Sequence, residues 1–319
     1  FGRYSPVLWD TLTGKTEYVD YIVSGDKTVI KRDLYDYDSL LLERKPFSPE
    51  IPSVRKTEKT HIREIYLDKP AAFRLDEPNA MLLDRAEYRV DTPSLEDDAE
   101  WLPEEEMLRL YDAAAKLAGL PEYDEKQPWA SSPEILSHHI DLRITISSDI
   151  EYEGARLALE NASLCEVRLN GEPAGRIEGW FTDESIPTIH LPKITRGENI
   201  LLIRAPIGVN TRLEWCYLLG GFGVRLAGRR AAITTLPETL GFSSITGQLL
   251  PFYTGNVEYD EDIETPECSL EVRVSEYRGA LVRVFLDGVD KGVIAFDPYR
   301  LRLGNVAAGR HTLTFRCYG

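Results

Sequence analysis

Apolar and polar residues alternate in short runs along most of this chain. TEYVDYIV (16–23), TVIKRDLY (28–35) and SLLLER (39–44) read as strands, the first two joined by the turn SGDK, and predict a small β-meander over 1–45. KPFSPEIPSVRKTEKTHI (45–62) breaks the rhythm with three prolines and a cluster of basic residues, which places an exposed linker at 46–70. AAFRLDEPNAMLLDRAEYRVD (71–91) alternates again. One stretch then departs from the pattern: Pro103 and Glu104, Glu105 and Glu106 suit the positive end of a helix dipole, and Met107, Leu108, Leu110 and Leu117 follow at apolar positions before Gly119. A helix over 103–118 is predicted there. From about 140 onward the chain returns to DLRITIS, ARLALEN, CEVRLNG, TIHL, NILLIRA, FGVRLAG, SLEVRVS, LVRVFLDG and HTLTFRC, separated by Gly, Pro, Asn and Asp. Short strands at that rhythm predict β-sandwiches.

An internal repeat sharpens the prediction. Val167–Ile177 aligns with Val284–Ile294 as V-x-L-[ND]-G-x-x-x-G-x-I, and Leu191-x-x-Ile194-x-x-Gly197 aligns with Leu303-x-x-Val306-x-x-Gly309. Asn-Gly or Asp-Gly supplies the positive φ of a tight hairpin turn, so each copy reads as half of a jelly-roll. The fold class is thus mainly β: an N-terminal meander, a jelly-roll over 71–230 with one inserted helix, and a second, incomplete jelly-roll over 231–319. The copies differ between their last two glycines, where the first carries five extra residues in an interval holding EGWFTDES (178–185). That stretch sets Trp180 and Phe181 on an enlarged, acidic loop.

Composition changes this picture little. Of 319 residues 43% are apolar and 28% charged, ordinary for soluble globular domains. The net charge of −16 repels phosphate backbones and anionic membrane surfaces, which disfavours nucleic acid and membranes as partners. No apolar run approaches the roughly 18 residues of a membrane span. Cys165, Cys216, Cys268 and Cys317 form no C-x-x-C pair; two disulfides are open to them, but they read as small apolar strand residues, which slightly favours a reducing compartment.

Candidate chemistry is sparse. There is no G-x-S-x-G, and GGFGVRLAG (220–228) runs into a strand rather than a helix, as a sheet corner would. His138 and His139 are adjacent on an extended segment, so they point to opposite faces and do not share a metal. No cofactor is expected. Calcium would find Asp, Glu and carbonyl oxygens in a jelly-roll loop, but no EF-type spacing marks a site. Sugar recognition needs an aromatic platform beside groups that take hydroxyls, and Trp180, Phe181, Asp183, Asn210, Arg212, Glu214 and Trp215 are of those types. The competing reading makes Trp215 a core residue and Trp180 a packing residue against another domain.

VLWDTLTGKTEY (7–18), PNAMLLDRAEYRVD (78–91), RLALENASLCEVRLNGEPAG (156–175), LEWCYLLGGFGV (213–224) and LPFYTGNVEY (250–259) resemble the accessory, galactose-binding-like β-domains of large bacterial glycoside hydrolases, α-L-rhamnosidase-like enzymes in particular. The resemblance implies a non-catalytic region acting with enzymes of plant or host glycans. Its partners would be carbohydrate and the catalytic domain of the same polypeptide, a barrel preceding Phe1. It also implies that the chain, which opens on Phe1 and ends just after an apolar strand, is a piece of a larger enzyme, with the bacterial cytoplasm slightly favoured over secretion. Two alternatives stand beside it: a region that completes a glycosidase active site with its own carboxylates, Asp183, Glu184 and Glu214 foremost, and a scaffold module without sugar affinity.

Overall fold

The computed structural model describes residues 2–11, 14–36, 39–49, 62–120, 136–209, 213–275 and 278–319. It is mainly β, with several antiparallel sheets and one α-helix among the described residues. The chain divides into two compact units, Lys69–Tyr259 and the pair of segments Phe1–Asp68 and Asp260–Gly319. Of the segment expected to be a linker, 46–70, residues 50–61 lie outside the described residues.

Lys69–Tyr259 is a β-sandwich. Its larger sheet runs in the order Glu172–Pro173, Glu166–Leu169, Gly197–Ile207, His138–Ser148, Arg230–Thr235, Phe222–Ala227, and Arg85–Val90 also pairs with His138–Ser148. The facing sheet runs Ile177–Phe181, Asp183–His190, Arg156–Ala158, Cys216–Gly220, Asn79–Leu83. Alternation explains the core between them. Ile140, Leu142, Ile144 and Ile146 line one face of their strand, in register with Leu201, Ile203, Ala205 and Asn199 on the next, and all are buried. Each fully buried Ile or Leu contributes about 1.5–3 kcal/mol. The chain crosses from one sheet to the other at Gly220–Gly221, where a Cβ on Gly220 would lie 2.6 Å from the Phe222 ring and 2.8 Å from that of Tyr152. GGFGVRLAG is therefore a sheet corner.

Two expectations are corrected. The helix is Met107–Leu117, not 103–118, because Leu102–Glu106 pairs as a strand with Arg85–Val90. That ladder satisfies the backbone that a first helical turn would leave unpaired, and the Glu106 carboxylate then caps the helix by accepting from the Leu108 N–H at 3.3 Å. Its buried stripe is Met107, Leu110, Tyr111 and Ala114, whereas Leu108 and Leu117 are exposed. Secondly, a boundary at 230 would cut the hairpin Phe222–Ala227/Arg230–Thr235, whose second strand belongs to the sandwich, so the unit continues to Tyr259.

The outer face of the larger sheet carries a buried ionic centre. Asp141 accepts from Arg89 Nε (3.0 Å) and Arg204 Nε (2.8 Å), with Asp141 1% and Arg89 3% exposed. The remaining Arg89 donors hold the carbonyls of Ser94, Leu95, Asp97 and Ala99, and Trp101 lies over the guanidinium at 4.3 Å. One arginine thereby straps 94–101 to the sheet.

In the other unit Leu281–Leu286 pairs with both Val289–Ile294 and Gly309–Tyr318, and Cys268–Arg273 pairs with Arg300–Val306. Its N-terminal segment forms a sheet of Thr16–Tyr18, Tyr4–Trp9 and Leu41–Pro46 and a hairpin of Ile22–Ser24 with Lys27–Val29. TEYVDYIV is thus two short strands instead of one.

The repeat is a shared clamp. Both turns take positive φ, at Asn170 and Gly171 (53° and 84°) and at Asp287 and Gly288 (51° and 76°). In each, the turn side chain accepts from the next strand: Asn170 Oδ1 from Ile200 N–H and Asp287 Oδ1 from Thr312 N–H, both at 2.9 Å. One residue earlier on that strand a side chain meets the turn residue and also reaches back to a carbonyl. In the first copy it is Asn199, on Asn170 and the Thr195 carbonyl (2.8 Å each), and in the second His311, on Asp287 (2.7 Å) and the Ala307 carbonyl (3.0 Å).

The second clamp titrates. Both ring nitrogens of His311 face acceptors, so the imidazolium satisfies both at once. Hydrogen bonding to Asp287 and then to the Ala307 carbonyl raises the His311 pKa, and the bond from His311 and then that from Thr312 N–H lower that of Asp287. The histidine's contribution is present in full below about pH 6.5 and is lost as pH rises through its raised value; the aspartate's is present above about pH 3.9 and is lost as pH falls through its lowered value. The native chain's Tm advantage over Asp287→Asn is therefore expected to be largest between about pH 4 and 6.5 and to shrink toward pH 8. A pH-independent difference would assign the clamp no titrating role.

Candidate functional site

EGWFTDES is a hairpin, not an enlarged loop. Ile177–Phe181 and Asp183–His190 pair at the edge of the smaller sheet, turning at Thr182 (φ 63°), so the five extra residues lengthen a ladder that satisfies their backbone groups. The register slips between Ile177, opposite Ile189, and Trp180, opposite Pro187, which leaves Glu178 and Gly179 as a bulge. Gly179 takes the positive φ (74°) there. Cross-strand partners share a face, so the bulge keeps Trp180 on the side of Ile177 and Pro187. Trp180 is 56% exposed and, among the described residues, stacks on no other ring.

Phe181 turns to the opposite face. Its ring lies 5.3 Å from that of Tyr217, and both pack with Ile186 and Phe252 on Ala80, Ala158 and Leu219, outside the main core. Carboxylates gather beside this shelf. Burial, and then the charges of Glu214 and Asp183, raise the pKa of the half-buried Glu160. Asp183 itself accepts from Ser185 N–H (2.8 Å). Behind the bulge, Glu178 accepts from His190 Nε2 (2.8 Å) and Arg176 Nη2 (2.7 Å), and those bonds hold its carboxyl below the usual range.

The sequence-selected residues are thus only partly assembled. Phe181, Asp183 and Glu214 share a neighbourhood with Glu160 and Tyr217, while Trp180 occupies the other face of the hairpin. Trp215 is not core: it is 40% exposed, and its indole Nε1 donates to Glu106 Oε1 at 3.0 Å, tying the strand to the helix N-terminus. Asn210 and Arg212 lie outside the described residues. Sequence reasoning missed Glu160 and Tyr217. Tyr217 had a signal, since it alternates with Trp215 in LEWCYLL, whereas Glu160 had none beyond following a strand.

A cavity of about 30 Å³ opens at Glu160 and Glu214, lined also by Cys165, Cys216 and Met107. It has room for a water or two, far below the roughly 300 Å³ at which ligand pockets begin. All four cysteines are free thiols, and burial pushes Cys216 up to about 12 and Cys165 up to about 11. Among the described residues no group of three or more His, Cys, Asp or Glu is arranged to hold a metal ion, and His138 is bonded to Asp91 (2.6 Å). No helix among them is long and apolar enough to cross a membrane.

No protein-family model matches the chain, and no curated protein matches it. Solved structures do. A rhamnosidase from Novosphingobium sp. PP1Y is 16% identical over 65% of this chain and 22% of its own, with a TM-score of 0.23. The Streptomyces avermitilis α-L-rhamnosidase complexed with L-rhamnose is 14% identical over 61% and 23%, with a TM-score of 0.27. A GH2 β-galacturonidase from Eisenbergiella tayi is 10% identical over 76% and 36%, with a TM-score of 0.24. The chain therefore spans between 22% and 36% of the length of these three. At such scores the likeness assigns no residue and no activity.

Proposed function

We propose that this chain is a non-catalytic accessory β-sandwich region of a larger glycoside hydrolase, and that the hairpin Ile177–His190 is its contact surface for carbohydrate. The observation that carries this reading is Trp180, an indole 56% exposed on a two-stranded, bulged ladder instead of a free loop. Such a ring offers an apolar face for sugar C–H groups at little cost in conformational entropy. Glu178, Arg176 and His190 are already hydrogen-bonded to one another on the opposite face, His190 alternating with Ile189, and stiffen the ladder that presents the indole. The reading as an active site lacks support, because glycoside hydrolysis needs two carboxyl groups facing each other across a bound sugar, and the space between Glu160 and Glu214 is too small for one.

Isothermal titration of the chain against plant-derived oligosaccharides tests the proposal. Saturable binding is expected to weaken about tenfold in Trp180→Ala, the equivalent of about 1.4 kcal/mol. Absence of binding to the native chain, with Trp180→Ala still folded, would turn the hairpin into a packing surface for another domain.

A further inference from the structure

The outer face of the larger sheet has a strapped end and an open end. Arg89, Asp141 and Arg204 hold 94–101 over the first. At the second, His138–Ser148 loses Arg85–Val90 as its neighbour and gains Arg230–Thr235, in parallel, through Ser147 and Ser148. A recess of about 290 Å³ lies there. Its origin is the size of the residues in one cross-strand row. Ser147 pairs with Glu198 on one side and Ala232 on the other, and Ala232 pairs with Arg225, so the row reads Glu198, Ser147, Ala232, Arg225. The two central positions are small. The preceding rows of the same face place Ile200 beside Thr145 and Leu202 beside Arg143, which fill the corresponding space.

Charge then shapes the recess. Arg225 is already neutralised by Asp149 at 2.8 Å. Glu198 on one wall and Arg230 on the other have no ion-pair or hydrogen-bond partner among the described residues, and the space lacks the aromatic platform that a neutral sugar requires, so a ligand there is held by charge. Glu198 and Arg230 stand two strands apart and two residues out of row, about 12 Å between backbones. The ammonium and carboxylate of an α-amino acid are too close together to engage both walls. A phosphate dianion would meet two carboxylates as well as two guanidinium groups, which favours a ligand of single charge.

We propose that this recess binds one hexuronate: a sugar ring over Ser147 and Ala232, its carboxylate on Arg230, and its hydroxyls on Glu198 and Ser147. A guanidinium takes a carboxylate in two parallel hydrogen bonds, a carboxylate accepts from vicinal hydroxyls, and the small floor gives the ring its place. The site is on the sheet opposite the Ile177–His190 hairpin and does not depend on that hairpin's role.

The experiment is an NMR titration of the ¹⁵N-labelled chain with galacturonate and glucuronate, galactose being the uncharged control and inorganic phosphate the charged one. Saturable shifts at the amides of Ser147, Glu198 and Ala232 are expected for at least one uronate, with a Kd in the millimolar range. Affinity is expected to fall about tenfold in Arg230→Ala and in Ser147→Leu, which fills the floor from the solvent side. Rising salt weakens it. No saturable shift at these amides, equal binding of galactose, or tighter binding of phosphate would overturn the assignment. Loss in Trp180→Ala would place the uronate on the hairpin instead.

Discussion

An Asp141→Ala variant is expected to lose about 3–5 kcal/mol of stability, because it removes the anion between two guanidinium groups and leaves at least one of them buried and uncompensated. For a unit the size of Lys69–Tyr259 this lowers the Tm by roughly 10 °C. Burial decides the magnitude. Asp141 is 1% exposed and accepts from Arg89, Arg204 and Thr92, so neither water nor a mobile side chain replaces it. The exposed pair Lys193–Glu151 is also short, at 2.7 Å, yet Glu151→Ala is expected to leave the denaturation midpoint almost unchanged, because water replaces the lost partner. The loss also spreads from the pair: without Asp141 to orient it, Arg89 no longer holds the four carbonyls of 94–101 in place. Chemical denaturation gives the stability difference, and hydrogen exchange over 94–101 is expected to rise ahead of exchange in the core strands. A stability loss below about 1 kcal/mol would reduce this centre to the rank of a surface pair.

Asn199→Asp is expected to cost about 3 kcal/mol at neutral pH, although the two side chains have the same shape. Asn199 is fully buried. Its Oδ1 accepts from Asn170 Nδ2, Thr195 N–H and Thr195 Oγ1, and its Nδ2 donates to the carbonyls of Ile146, Thr195 and Gly197. A carboxylate keeps the first set and turns the second into repulsion between oxygens. The folded state therefore raises the pKa of the new carboxyl, so the penalty is full above that raised value, fades as pH falls through it, and is gone below the unfolded value near 3.9, where a proton restores one donor. Denaturant midpoints of variant and native chain that converge toward pH 4 are the expected result. A constant gap would mean that the cost lies in packing, and no gap at all would remove Asn199 from the clamp.

That residue marks the limit of sequence reading here. The repeat V-x-L-[ND]-G was legible because a two-residue turn with positive φ at both positions restricts its own composition locally. Asn199 and His311, which complete the two clamps, occupy equivalent positions but share no residue type, and nothing in the alternation marks them. Tertiary context selects them by what each must reach: one side chain on a neighbouring turn and a carbonyl behind it. The Asp141 centre was hidden for the same reason, since Arg89, Asp141 and Arg204 are far apart in sequence and look like ordinary outward-facing charges on alternating strands. Only the covering of their face by 94–101 makes them core.

By itself, the sequence determined the class of fold, the position of most strands, the repeat and the presence of the helix ahead of Gly119, because hydrophobic period and turn chemistry are local properties. Where local rules compete, the tertiary structure decided. Leu102–Glu106 had a helix start's composition and became a strand because a pairing partner lay beside it. EGWFTDES had a loop's composition and became an edge hairpin because its backbone gained a ladder. Which side of that hairpin Trp180 occupies was settled by a bulge at Glu178 and Gly179. A one-residue slip in register reverses every following side chain, and composition carries no record of it.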